Sequence, residues 1–289
     1  MSELRPAGMF LKRAFLLIGL ACLGPSCMPM EVGPDNPPPT SAWSSFSYTF
    51  DLKEKDAPPN SVPITVAVVN AKYKLEESAL KMDLYKKLGK GFSASMGVDL
   101  NRIIIAKGMT SRGPFTDLDE ITYKDKENST LTLYPEVFIE AKAEYPKPQG
   151  DAHLVYYQVN GQRIYRMQRN FILRIGGWIA FNMEEPLTHQ KMWVKRLNLD
   201  EATLQGIEIY EANEVVTGYT GLFNETPLVR YDMGAIEYDG KVDILANFIK
   251  SNYTAVMQKC WTYLEPEEAL QLKKQCVEIR VKSGFSIPK

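Results

Sequence analysis

The hydrophobic pattern changes period several times along the chain, and each change marks an element. Residues 46–52 alternate apolar and polar positions, as a half-buried strand does. Asp56-Ala-Pro-Pro-Asn60 is a turn. Val62-Pro-Ile-Thr-Val-Ala-Val-Val69 is almost continuously apolar, which suits a strand covered on both faces. Leu75, Leu80, Leu84, Leu88, Phe92 and Met96 then recur at helical spacing, and Leu100, Ile103 and Ile104 extend the same face. A long helix is predicted from Leu75 to a C-cap at Gly108, with a break where Gly89, Gly91 and Gly97 weaken it.

A short strand and turn follow at 109–115, then a capped helical turn at Thr116-Asp-Leu-Asp-Glu120. Residues 131–143 alternate as a long strand, and Pro135 within it predicts an edge or a bulge. Residues 152–197 read as an antiparallel meander. Its first hairpin turns at Asn160-Gly161, its second strand has a bulge at Gly176-Gly177, and its third covers 191–197. No period is legible from 200 to 238. Val242, Leu245, Ile249, Tyr253, Val256 and Cys260 then form a helical stripe, and Glu265-Pro266-Glu-Glu268 opens another helix with Pro at its first position. The predicted fold class is α+β: a mainly antiparallel sheet packed by a long helix and C-terminal helices, with a β-α-β-like N-terminal part.

The start of the chain has a different character. Lys12 and Arg13 precede the ten-residue apolar run 14–23. That run is too short to span ~30 Å of hydrocarbon, which takes roughly 20 residues, and it reads as a signal peptide starting at Met1 or Met9. Cys27 follows Leu23-Gly-Pro-Ser26 and is the expected lipid-anchor residue, carrying an acyl chain such as palmitate; Cys22 is the alternative. Prolines 29, 34, 37, 38 and 39 make 28–44 an extended, disordered tether that is expected not to pack. The expected organisation is therefore residues 1–27 signal peptide, 28–44 tether and 45–289 a single domain. No Asp follows Cys27, which points to the outer membrane, on its periplasmic face or at the cell surface.

Formal net charge is −1, and removing Arg5, Lys12 and Arg13 together with Glu3 takes it to −3. A chain without a clustered basic excess is not a nucleic-acid binder. Two isolated histidines, His153 and His189, make no metal site, and no cofactor is expected. There is no Gly-x-Ser-x-Gly elbow, and Lys90-Gly-Phe-Ser-Ala-Ser95 has no nearby base. Gly89-Lys-Gly91 lacks phosphate-loop spacing, while Asp117/Asp119 and Glu184/Glu185 read as solvated acids in turns. The chain is expected not to be an enzyme.

Cys260 and Cys276 lie 16 residues apart on consecutive predicted helices. They either form a disulfide, worth roughly 3 kcal/mol for a loop of that size, or face the core separately as small apolar residues. The candidate ligand surface is Tyr156, Tyr157, Arg163, Tyr165, Arg166 and Arg169, with Arg174 beyond. Arginine forks beside aromatic rings suit anionic sugars or acidic polymers; a solvated hairpin accounts for the same residues.

Ala106-Lys-Gly-Met109, Arg112-Gly-Pro-Phe115, Leu118-Asp-Glu-Ile-Thr122, Leu131-Thr-Leu-Tyr-Pro-Glu136 and Tyr263-Leu-Glu-Pro-Glu-Glu-Ala-Leu270 together resemble a pattern in bacterial surface lipoproteins. The chain is similar to uncharacterised Bacteroidota-type outer-membrane lipoproteins and, more distantly, to the neuraminyllactose-binding haemagglutinin family, over residues 45–145 and 235–282. The resemblance implies a β-α-β core and, by the second family's name, binding of sialylated glycan. No binding residue carries over from it. The expected function is that of an exported, non-enzymatic cell-envelope lipoprotein, held to the membrane by its lipid and binding a protein partner or envelope component. A glycan-binding adhesin is the alternative and a secreted hydrolase the second alternative.

Overall fold

The computed structural model describes residues 30–31, 50–51, 57–76, 83–146, 152–221 and 226–287. The expected signal peptide, Cys22, Cys27, most of the expected tether and most of the strand expected at 46–52 lie outside the described residues. Two residues of the segment expected to stay disordered, β1 (Met30–Glu31), instead pair in parallel with Val155 and Tyr156.

The rest is one curled sheet with helices. Its elements are β2 (Thr65–Val69), β3 (Lys72–Glu76), α1 (Asp83–Ala106), β4 (Thr110–Phe115), α2 (Tyr123–Asn128), β5 (Leu131–Glu144), β6 (His153–Val159), β7 (Gln162–Glu184), β8 (Lys191–Tyr219), β9 (Pro227–Asp239), α3 (Gly240–Tyr263) and α4 (Pro266–Lys282). The α+β class holds, but the sheet is mixed rather than mainly antiparallel. β2 runs parallel to β4 and β5, and β3 parallel to β5. β5, β6 and β8 are antiparallel to β7, and β9 to β8. Two edges are shared end to end: β2 and β3 follow one another along β5, and β5 and β6 along β7.

The helix α1 is shorter than its periodicity predicts. Leu75 belongs to β3, the described helix runs from Asp83, and Leu80 lies outside the described residues. Nor does it break at its glycines. A Cβ on Gly89 would sit 2.4 Å from the Tyr73 ring, and one on Gly97 would sit 1.9 Å from the Asn70 side chain, so these glycines let the helix lie close to the sheet. Leu88, Phe92, Met96, Leu100, Ile103 and Ile104 are fully buried as expected. Each such side chain contributes about 1.5–3 kcal/mol by leaving water.

Pro135 is neither at an edge nor at a bulge. It faces Phe181 of β7 on one side, while on the other β2 pairs only to Leu133 and β3 only from Glu136. The missing N–H falls in that gap. The expected helical turn at 116–120 is a run of bends; the helix is α2, capped by Thr122, whose hydroxyl accepts from the Asp125 N–H. Asn160 and Gly161 both take positive φ, which fits the predicted two-residue hairpin. The β7–β8 register breaks at Gly176, where β8 inserts Asp200 and Glu201 between Leu199 and Ala202. Within 200–238, unreadable in sequence, residues 200–219 are the rest of β8 and residues 227–238 belong to β9.

The helices cover one face of the sheet and form the main core, from Val66 and Val68 through Phe171, Leu173 and Phe181 to Leu245, Ile249 and Cys276. On the opposite face, Ala67, Val69, Ile121 and Tyr134 cluster at one end and Val155, Tyr157 and Ile209 at the other.

Candidate binding surface at the β6–β9 end of the sheet

The β6–β7 register places Tyr156 opposite Tyr165 and Gln158 opposite Arg163. Strand alternation then puts Arg163, Tyr156 and Tyr165 on one face. The Arg163 guanidinium lies 4.9 Å over the Tyr156 ring. The Tyr156 and Tyr165 centroids are 6.2 Å apart, and Tyr165 stacks on Tyr231 of β9 at 6.5 Å and 23°. The Tyr231 hydroxyl donates to Glu214 at 3.2 Å. Arg163, Tyr156, Tyr165 and Tyr231 thus form a ridge across three strands. Tyr165 and Arg163 are exposed and Tyr156 is mostly covered. Sequence reasoning missed Tyr231, whose surroundings show no period.

The other three candidates are not on this ridge. Tyr157 points to the opposite face and is 1% exposed, with no partner for its hydroxyl among the described residues. Burial pushes that hydroxyl's pKa up, partly offset by the Arg166 charge. Arg166 pairs with Glu237 and donates to the Tyr165 carbonyl at 2.8 Å. Arg174, farther along β7, pairs with Glu144 at 3.2 Å.

Arg169 belongs to a buried charge network. It donates from Nε and Nη2 to one Glu208 oxygen, at 3.0 and 2.6 Å. The other Glu208 oxygen accepts from Lys241 and, at 3.0 Å, from the Tyr145 hydroxyl. Asp239 lies 3.4 Å from Lys241, and Arg169 sits 4.0 Å over the Tyr145 ring. Burial alone would raise the Glu208 pKa, but the hydrogen bonds from Lys241 and Arg169 outweigh it and hold the carboxyl below its ordinary range. Two acids and two bases cancel, so the network ties the start of α3 to β7 and β8 and leaves no charge over for a ligand.

The acidic pairs are likewise committed. Glu184 meets His189 Nδ1 at 2.8 Å. Glu185 accepts from Arg280 at 2.6 Å and from the backbone of Leu187 and Thr188, at 3.0 and 2.7 Å. Asp117 accepts from the Asp119 and Glu120 N–H groups, both at 3.0 Å. Ser93 donates to the Ala71 carbonyl. His153 opens β6, far from His189. Among the described residues no group of three His, Cys, Asp or Glu side chains could hold a metal, and no helix is long and apolar enough to cross a membrane.

The disulfide considered for Cys260 and Cys276 is not formed; both are buried free thiols. Cys276 turns toward the sheet, 3.2 Å from the Thr130 carbonyl and 3.1 Å from Met192 Sδ, while Cys260 lies in the buried stripe of α3. Burial raises both thiols, Cys276 to about 12.

No family model matches the chain, and no curated protein matches it. Among solved structures it is similar to a neuraminyllactose-binding haemagglutinin homologue from Helicobacter pylori, at 16% identity and a TM-score of 0.48, over 78% of this chain and 97% of that one. It is also similar to a lipoprotein from Neisseria meningitidis, at 9% identity and a TM-score of 0.24, over 49% of this chain and 84% of that one. Neither likeness assigns a ligand or a residue role, and neither speaks for a Bacteroidota origin.

Proposed function

We propose that the chain is an exported cell-envelope lipoprotein, lipidated at Cys27, that acts by binding rather than by catalysis. Its contact surface is the Arg163–Tyr156–Tyr165–Tyr231 ridge, and its target is a protein or another envelope component that offers negative charge. The observation that carries this reading is the state of Arg163. Of the four arginines on β7 it alone lacks a carboxylate partner among the described residues, and it lies at the end of a row of rings. A guanidinium stacked on an aromatic ring keeps its fork of N–H donors for an anion. A second reading, a glycan-binding adhesin, is favoured by the same ridge, because rings beside an arginine suit an acidic sugar.

Two measurements test this. Fatty-acid labelling of intact cells should be lost in Cys27→Ser and kept in Cys22→Ser; label unaffected by both changes, or absent from the unaltered chain, would refute the anchor. Capture of envelope components by the full chain, followed by a glycan array, should be weakened at least tenfold by Arg163→Ala or Tyr165→Ala. Capture that survives both substitutions would remove the ridge from the function. Binding on the array would select the adhesin over a protein partner.

A further inference from the structure

The β8–β9 hairpin extends beyond the rest of the sheet. β7 pairs with β8 only as far as Glu211, and from there outward β8 and β9 hold only each other. The outer edge of β9 carries no strand among the described residues. Val216 (58% exposed), Tyr219 (66%) and Leu228 (50%) are bare on this arm, together with Val215 and Val229. A two-stranded ribbon with an open edge and apolar side chains in water is marginal alone and is a template for another strand.

The charges on β9 select the occupant. Arg230 and Asp232 flank Tyr231 on one face of the strand and pair with each other at 3.0 Å, with side chains 71% and 45% exposed. β9 pairs without a bulge from Val229 to Met233, the register shifting only beyond that stretch, as between Val216 and Gly218 of β8. Consider a second β9 laid antiparallel along it with like faces together. Centred on Tyr231, the pair sets Arg230 of each strand opposite Asp232 of the other, twice. Slid by two residues in either direction, the smallest step that keeps like faces together, it centres on Arg230 or Asp232 and opposes arginine to arginine or aspartate to aspartate. Opposite charges across strands stabilise and like charges destabilise, so one register is favoured over its neighbours, and it is self-complementary. In that register Val229 of one strand also meets Met233 of the other.

We propose that this edge is a dimer interface: two copies of the chain join β9 to β9 about a two-fold axis through Tyr231, making one continuous sheet across both molecules.

The register makes a sharp test, because only this dimer brings residue 231 of one copy against residue 231 of the other, at roughly 4.5–5.5 Å between Cα atoms. That separation lies within disulfide reach. Cells producing the full chain with Tyr231→Cys are oxidised mildly and run on a non-reducing gel, beside the unaltered chain and Pro227→Cys. A cross-linked dimer is expected for Tyr231→Cys alone. Adding Arg230→Asp should slow cross-linking by about tenfold, since two attractive pairs become repulsive. Adding Asp232→Arg to that variant restores complementarity and should restore the rate. A Tyr231→Cys chain that stays monomeric overturns the proposal. So does cross-linking that is indifferent to the charges or not rescued by the exchange. An arm that instead buries itself in lipid or in another protein would give the monomer outcome.

Discussion

Arg169 and Glu208 face each other across β7 and β8, and one carboxylate oxygen takes two guanidinium hydrogen bonds. Glu208 is 1% exposed, and its other oxygen holds Lys241, which is 3% exposed. Glu208→Gln keeps the shape and removes the charge, leaving two cations facing Asp239 alone. A cost of about 3–5 kcal/mol is expected for breaking a buried network on one side, read as a lower urea midpoint with an unchanged slope. A loss below 1 kcal/mol would mean the network is open to water.

Stability should also depend on acid in a defined window. Glu208 and Glu185 are both buried, which would raise their pKa values, but hydrogen bonds from Lys241 and Arg169, and from Thr188 and Arg280, hold both below the ordinary carboxylate value. A group depressed in the folded state contributes stability above its unfolded pKa, about 4.3, and loses it as pH falls through the folded value. The urea midpoint should therefore be flat in these groups from pH 7 to about 5 and fall below about 4. Rising stability on acidification would contradict the assignment.

Arg280 is fully buried, and it donates to the carbonyls of Lys126, Glu127 and Ser129 as well as to Glu185. Arg280→Ala takes a donor from all four acceptors and leaves the Glu185 charge buried without its cation, which should cost about 3–5 kcal/mol, enough to unfold a domain of ordinary stability. Arg280→Lys supplies charge without the planar fork and should recover only part of that. Circular-dichroism melts of both variants decide it; equal melting of Lys and Arg forms would mean that the charge alone matters.

The thiols offer a chemical readout. Cys260 and Cys276 are buried and raised in pKa, so neither offers a thiolate to a reagent at neutral pH. In folded protein with residues 22 and 27 changed to Ser, a thiol reagent should label neither, and both should react on unfolding. Reductant should leave the melting temperature unchanged. A shift with reductant would show that a bridge forms after all.

What was legible followed from burial. The α3 stripe could be read because Val242, Leu245, Ile249, Tyr253, Val256 and Cys260 all face one core. The Asn160-Gly161 turn could be read because its backbone demands those residues. The β8–β9 arm was illegible for the opposite reason: Val215 and Val216 are both exposed, and a strand wet on two sides has no alternation to show. Leu75 shares a spacing with α1 by coincidence while belonging to β3. Of the candidate surface, Tyr156, Tyr165 and Arg163 were visible, but Tyr231 and which arginines are free were not. The partners of Arg169 and Arg166, Glu208 and Glu237, lie 39 and 71 residues away. For the two cysteines, spacing alone leaves a bridge and separate burial both open, because it says nothing of the faces they occupy.

The parallel strand β2 has a mechanical consequence. If Cys27 holds lipid, any drag on the domain is delivered through the chain that follows it. β1 offers only two residue pairs with β6 and can peel away. The next strand among the described residues is β2, gripped between β4 and β5 with both neighbours running the same way. Force along such a strand acts in shear, so its bonds must fail together rather than one after another. Strand β2 is thus built to bear load, and under tension the two-residue β1 contact should give way before the β2 pairing does.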